Sequence, residues 1–275
     1  MRNSRMQHMQ GIGADRMPRS REQGSEGKMD STEQDCKGQD LAKQDLPARN
    51  SEEPGSAKQN SAREAVQNLT GETAPDLNLL QKRLQALGYT ARVFKNRAEA
   101  AEWINRETDR TTVGIGGCVT AAEMGLYESL SRHNQVISHW HIPEGKTDRE
   151  MRDLAMNTEV YLTSANAVSL QGEIINIDYT GNRAASVFYG HRRVIFVIGR
   201  NKIEPDFAQA LWRARNIASP KNAQRLGRKT PCAVRADRCY NCSSPDRICN
   251  GLQVLWHAMA GAEMEVILIN EDLGY

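Results

Sequence analysis

Beyond about residue 75, apolar positions recur alternately at helical spacing and in short continuous runs. Leu80, Leu84 and Leu87 share one face of a helix that Asp76 can cap, and the first strand follows. Further helices are predicted at 97–104, 121–132, 148–157, 182–189 and 204–218, and strands at 91–94, 111–115, 136–138, 160–163, 194–198 and 266–269. This alternation is typical of an α/β fold with a mostly parallel sheet flanked by helices.

One pair of segments departs from that alternation. Residues 167–170 and 173–177 are two short apolar runs separated only by Gln171 and Gly172. A two-residue connection that contains glycine favours a β-hairpin. We therefore expect an antiparallel hairpin inserted into the α/β arrangement.

The N-terminal residues 1–75 have a different composition. They contain no Phe, Trp or Tyr and are rich in Gln, Ser, Gly and charged residues. Such a segment cannot bury enough apolar surface to offset its conformational entropy. We predict a disordered polar tail at 1–75 and one α/β domain at 76–275.

Charge and apolar content exclude several classes of partner. The 36 basic and 34 acidic side chains are interspersed and give a net charge of +2, so no surface for nucleic acid is indicated. No apolar run is long enough to span a bilayer or to serve as a secretory signal, which favours the cytoplasm. In that reducing compartment the six cysteines are ligands, nucleophiles or core residues rather than disulfides.

A glycine-rich loop, residues 114–120, joins a predicted strand to a predicted helix that Thr120 and Glu123 would cap. The loop is a candidate ligand contact, although its glycines could serve only the turn. It matches neither GxGxxG nor a Walker motif, so there is no nucleotide fingerprint. Cys118 lies in this loop, where a helix start would lower its pKa; it is either a nucleophile or a packed thiol.

Polar residues also collect where other strands are predicted to end. They form clusters at residues 163–167, 178–183 and 199–202. Ligands bind at the carboxyl ends of strands in such sheets, so these clusters indicate a site, although the same residue types also make ordinary turns. Asn166 and Asn182 could hydrogen-bond a carboxylate, and Arg183, Arg200 and Lys202 could hold an anion.

Two histidines, His139 and His141, follow another predicted strand. If that segment is extended, both imidazoles point to the same side. Either one could then act as a general acid or base, or both could be ordinary core or rim residues.

Cys232, Cys239, Cys242 and Cys249 have the spacing C-x6-C-x2-C-x6-C, in a segment with little apolar pattern. Four thiolates can hold tetrahedral zinc or an iron–sulfur cluster, and a metal would organise such a segment. The alternative is reduced thiols without a ligand.

Several segments in order, namely GIGGCVTAAEMGL, LTSANAVSLQGEIINIDYTGNR, VIFVIGRNKI, ASPKNAQRL and EDLGY, resemble the LUD (lactate utilisation) family, formerly DUF162, and its cysteine-containing branch. The resemblance implies a fold similar to the sugar-phosphate isomerase and CoA-transferase superfamily. It also implies a pocket for a small anion or carboxylate. The residues in matching motifs are Gly116, Gly117, Thr120, Asn166, Asp178, Gly181, Asn182, Arg183, Asn201 and Lys202.

The family resemblance implies a subunit or accessory protein in the oxidation of lactate or a related small hydroxy acid. Its partners would be other subunits of a redox complex that carry iron–sulfur clusters. A second hypothesis is a zinc-stabilised binding or regulatory protein without turnover. A third is a hydrolase or transferase that uses Cys118.

Overall fold

The protein is described here as a computed structural model, which covers residues 75–275. Apart from Pro75, the predicted disordered tail lies outside the described residues. The helices are α1 (Leu77–Ala86), α2 (Arg97–Glu107), α3 (Val119–Glu123), α4 (Leu126–Leu130), α5 (Asp148–Ala155), α6 (Asn182–Phe188), α7 (Phe207–Arg213), α8 (Ser219–Arg225) and α9 (Pro231–Arg235).

The main sheet is six-stranded and every neighbouring pair in it is parallel. Its strands are β1 (Thr90–Phe94), β2 (Thr112–Ile115), β3 (Gln135–Ser138), β4 (Val160–Thr163), β7 (Arg193–Gly199) and β10 (Glu263–Ile269). They lie in the order β1-β10-β7-β4-β2-β3. This confirms the predicted α/β fold with a mostly parallel sheet flanked by helices.

The predicted hairpin is also present, and it belongs to a second sheet. Strands β5 (Ala167–Ser169) and β6 (Ile174–Asp178) pair in antiparallel fashion, β8 (Ile203–Glu204) joins β5, and β9 (Gly251–Leu255) joins β6. The prediction missed β9 because its first two residues are exposed and only Gln253 and Leu255 are buried.

The central strand β7 shows why the main sheet is stable. Val194, Phe196 and Ile198 face a core formed with α1, whereas Ile195 and Val197 face a core formed with α2 and α4. A strand buried on both faces needs a continuous apolar run, as this segment has. The two layers of helices therefore fix the positions of the strand ends.

Two predicted helices differ from the structure. Thr120 does not cap a helix; the cap of α3 is Cys118, two residues earlier, whose sulfur accepts a hydrogen bond from the Ala121 amide. Gly125, with φ +61°, ends α3 and separates it from α4. The helix predicted at 204–218 begins at Phe207 after the cap Asp206, and it continues through a π-helical turn, Ala214–Ala218, into α8.

Candidate functional site

A cavity of about 300 Å³ lies at the carboxyl ends of β2, β3 and β4. The loops after these strands form its base, and the segment after β6 together with α5 and α8 forms its walls. Its volume is in the range of small-molecule sites, and strand ends of this kind are where α/β sheets bind ligands. It is the candidate site.

Seven of the ten residues expected to form a pocket line this cavity: Gly117, Thr120, Asn166, Asp178, Asn182, Arg183 and Lys202. Cys118 and His139 line it as well. Gly116, Gly181 and Asn201 do not, and neither do Arg200 and His141.

Lys202 is the most unusual of the lining residues because its side chain is a buried cation. The residue is 4% exposed, and its Nζ donates hydrogen bonds to Thr120 Oγ1 and Ser164 Oγ, each at 2.8 Å. No carboxylate forms an ion pair with it among residues 75–275. Burial lowers the pKa of Lys202 to about 8. A buried cation that has hydroxyl groups but no carboxylate as its partners favours the binding of an anion beside it.

Cys118 lies next to Lys202, but its environment differs from the expectation. The thiol is buried, and burial raises its pKa, although the positive charge of Lys202 opposes this effect. The expected lowering of its pKa is therefore wrong, because the loss of solvation outweighs the helix start and the nearby cation. A raised pKa disfavours the thiolate that a nucleophile needs.

The glycines of the first loop allow neighbouring side chains to approach the backbone closely. A Cβ on Gly116 would lie 2.6 Å from Tyr161 Oη, and one on Gly117 would lie 3.3 Å from His139 Nε2. Gly181 has a different role. It lies directly before α6 and has a φ of +84°, a backbone conformation that favours glycine. Gly117 thus lets His139 approach the cavity, whereas Gly116 lets Tyr161 pack behind it.

The side-chain oxygens of Asn166 and Asp178 accept hydrogen bonds from backbone amides. Asn166 Oδ1 accepts the Ile177 amide at 2.7 Å. The Asp178 carboxylate accepts the Tyr179 amide at 2.8 Å and the Ala184 amide at 2.9 Å, the latter in the first turn of α6. These contacts shape the wall of the cavity. Asp178 Oδ2 also lies 3.9 Å from Arg183 Nε, and Arg183 donates to the Ile177 carbonyl at 2.7 Å, so Arg183 is held in the wall.

Sequence reasoning missed an arginine–aspartate pair in the wall. Arg152 holds both carboxylate oxygens of Asp148, at 2.7 and 3.1 Å, and donates to Asn182 Oδ1 at 3.1 Å. Their spacing of four residues on α5 resembles an ordinary surface pair. Only tertiary packing shows that the pair joins α5 to the start of α6.

Arg225 of α8 is the other missed cation. Its guanidinium lies 5.0 Å from the centre of the Trp140 ring, and it donates to Asn222 Oδ1 at 2.8 and 3.1 Å. Within residues 75–275, the lining contains four cationic side chains, Arg152, Arg183, Lys202 and Arg225, and two carboxylate side chains, Asp148 and Asp178. The cavity has an excess of positive charge.

The two histidines have different environments. His139 is 9% exposed and lines the cavity; burial, aided by the charge of Arg152, lowers its pKa to about 4. His141 stacks on Tyr127 with ring centres 3.4 Å apart, outside the cavity lining. His139 is therefore a neutral imidazole at physiological pH.

Asn201 and Arg200 hold the last residues of the chain against the site. Asn201 Oδ1 accepts the Leu273 amide at 3.0 Å, and Arg200 pairs with Asp272 at 2.9 Å. A Cβ on Gly274 would lie 2.6 Å from Thr120 Oγ1 and 3.0 Å from Lys202 Nζ. The segment 271–275 therefore packs directly over the Lys202 amine.

The cysteine segment lies beside the cavity. Residues 237–250 contain no helix or strand, and Arg247 donates to Cys249 Sγ at 3.4 Å. Cys249, and more weakly Cys242 and Cys239, raise the pKa of Arg247. Within residues 75–275, no group of three or more His, Cys, Asp or Glu side chains is arranged to hold a metal ion. The metal site stays a prediction.

None of the helices described between residues 75 and 275 is long and apolar enough to cross a membrane.

The LUD domain family model matches residues 77–269 of the chain. Among solved structures, a DUF162 family protein from Deinococcus radiodurans is similar at 16% identity; the match covers 70% of this chain and 95% of that chain, with a TM-score of 0.40. No curated protein matches the chain significantly.

Proposed function

Because the chain belongs to the LUD domain family, we propose that it serves the oxidation of lactate or a related small hydroxy acid, as a subunit or accessory protein that binds a small carboxylate around Lys202. No side chain of the cavity can accept a hydride, so electrons would pass to a cofactor or to another subunit of a redox complex.

The observation that carries this proposal is the buried ammonium group of Lys202. Transfer of a cation into the protein interior is costly unless an opposite charge compensates for it. Among residues 75–275, the hydrogen-bond partners of the Lys202 ammonium are the hydroxyls of Thr120 and Ser164, and it forms no ion pair. A ligand carboxylate would supply the missing negative charge, and Arg183 lies in the same lining to share it.

The cavity also limits the size and polarity of the ligand. A volume of about 300 Å³ suits a small molecule, and its lining mixes cations with hydroxyl and amide groups. These groups match a carboxylate that carries an adjacent hydroxyl or carbonyl oxygen. A large apolar ligand would find few partners here.

Isothermal titration calorimetry of the full chain with L-lactate tests the proposal, with lactamide as the uncharged control ligand. We expect lactate to bind and lactamide to bind at least about tenfold more weakly, a difference of about 1.4 kcal/mol. Lys202→Met should lose binding. Arg149→Met should retain it, because Arg149 is exposed on α5 and pairs with Asp153. Equal binding of both ligands would overturn the proposal.

A second candidate is a metal-stabilised binding or regulatory protein without turnover, in which the cysteine segment binds zinc. The spacing of Cys232, Cys239, Cys242 and Cys249 supports it, because four thiolates can hold tetrahedral zinc. The segment also has little apolar packing, limited to Ala223, Ala233 and Ile248 with Cys232. An iron–sulfur cluster in the same place would instead favour electron transfer.

A further inference from the structure

The Lys202 amine is placed for covalent chemistry as well as for charge. Its Nζ lies between two hydroxyl oxygens, each 2.8 Å away, and lines the cavity. Thr120 Oγ1 and Ser164 Oγ lie 3.4 Å from each other, so the amine and both hydroxyls form one compact polar cluster. Among the residues that the structure describes, no other lysine lines the cavity.

The cluster favours the neutral amine more than a surface site does. Burial is the main cause of the lowered pKa of Lys202, and Arg213 and Arg183 add to it. Cys118 and Glu123, when ionised, act in the opposite direction. A pKa of about 8 leaves a useful fraction of the free base near neutral pH, as in lysines that form Schiff bases.

We propose that Lys202 forms an imine with a small 2-oxo acid bound in this cavity. The inference rests on the proposed function, since it requires that the cavity admits a carboxylate. It adds the ligand class, a carbonyl next to a carboxylate, and a covalent step. The carboxylate of such a ligand would neutralise the excess positive charge of the cavity. Its carbonyl would react with the neutral Lys202 amine, which lies beside two hydroxyls.

The step balances without a redox partner. The lone pair of neutral Nζ attacks the carbonyl carbon, and the C–N bond forms as the C=O bond becomes C–OH. The two hydrogens of the amine leave with the former carbonyl oxygen as water, and the C=N bond remains. Ser164 and Thr120 are within hydrogen-bonding distance of Nζ and can relay these protons.

Reductive trapping tests the imine directly. The full chain is incubated with pyruvate, as the smallest stable 2-oxo acid, and sodium cyanoborohydride, then digested and analysed by mass spectrometry. We expect one adduct, on the peptide that contains Lys202, with the mass of one reduced pyruvate unit. Excess lactate should suppress it by competition, and Lys202→Met should abolish it.

The control is Lys146→Met, which removes an exposed lysine that pairs with Glu150; it should leave the adduct unchanged. Because peptide mapping of the wild type identifies the modified lysine, the test does not depend on Lys202→Met alone. Adducts spread over several lysines, or no adduct at saturating pyruvate, would overturn the imine.

Calorimetry separates the two proposals. Pyruvate or lactate that binds without any adduct at Lys202 would overturn the imine and leave carboxylate binding intact. If calorimetry detects no binding and trapping gives no adduct, both the imine and the carboxylate-binding proposal are overturned.

Discussion

The Nζ atom of Lys202 lies 2.8 Å from Ser164 Oγ, although 38 residues separate the two in the sequence. Ser164 follows β4 and Lys202 follows β7, which are neighbours in the main sheet. The pairing therefore depends on the parallel sheet, which brings the ends of both strands to one edge.

The first prediction concerns stability and pH. Because burial lowers the pKa of Lys202 to about 8, the folded protein binds fewer protons than the unfolded chain between about pH 8 and pH 10. The contribution of Lys202 to the free energy of unfolding therefore rises with pH in that window. Below about pH 8 the buried charge destabilises the protein by about 3 kcal/mol.

Lys202→Met should consequently be more stable than the wild type at about pH 7.5, and this advantage should shrink toward pH 10. Urea unfolding of both proteins measures it. Burial raises the pKa of Tyr89 and Tyr161, which affects both proteins equally and cancels in the difference. An advantage that is independent of pH would contradict the account.

A second prediction concerns His139. Burial lowers its pKa to about 4, so the folded protein binds fewer protons than the unfolded chain between about pH 6.5 and pH 4. Stability should fall as the pH falls through this window. Asp148, Arg152, Arg183 and Arg225 are the charged groups that act on this ring.

His139→Asn should lose less stability than the wild type between about pH 7 and pH 5, measured by denaturant unfolding. His141→Asn is the control, since His141 is exposed and lies outside the cavity lining. Equal pH dependence of the wild type and His139→Asn would refute the assignment.

A third prediction concerns the space behind the first loop. In Gly116→Ala the new Cβ would lie 2.6 Å from Tyr161 Oη, which overpacks a buried site and should cost about 1–3 kcal/mol. The melting temperature should fall by several degrees. Gly251→Ala is the matched control, because a Cβ there meets nothing within 4 Å.

Tyr161→Phe removes the clashing hydroxyl and should partly rescue Gly116→Ala in the double variant. Thermal unfolding of the four proteins forms a double-mutant cycle. Additive effects would show that the contact with Tyr161 Oη is not the cause of the destabilisation.

A fourth prediction concerns the cysteine segment. Anaerobically purified protein should contain a metal, and Cys242→Ser should lose it, whereas Cys118→Ser should keep it because Cys118 belongs to the cavity. Iron with acid-labile sulfide and an absorption band bleached by dithionite would favour a role in electron transfer. Zinc would favour a structural role for the metal. Purified protein that contains no metal would contradict this prediction.

Much of the fold was predictable because amphipathic spacing and caps agree with the final packing. The helix predicted at 148–157 is present as α5, which Thr147 and Glu150 cap. The hairpin after β4 is also present, although residues 170–173 connect its strands instead of the expected two residues. The break at Gly125 and the short strand β8 were missed, because helical spacing continues through both segments.

The site was predictable only where it coincides with strand ends. Lys202 and Arg200 look alike in the sequence, yet one is buried at the cavity and the other pairs with Asp272 at the surface. Arg152 and Arg225 reach the cavity from helices, and only tertiary packing reveals their positions. Local pattern carries no information on which face of the loop becomes buried.

The most direct test of carboxylate binding is the pKa of Lys202 itself, measured by nuclear magnetic resonance of its side chain with and without L-lactate. A bound carboxylate stabilises the ammonium form, so saturating lactate should raise the pKa from about 8, whereas lactamide should not. A pKa that is the same with and without lactate would contradict the central claim.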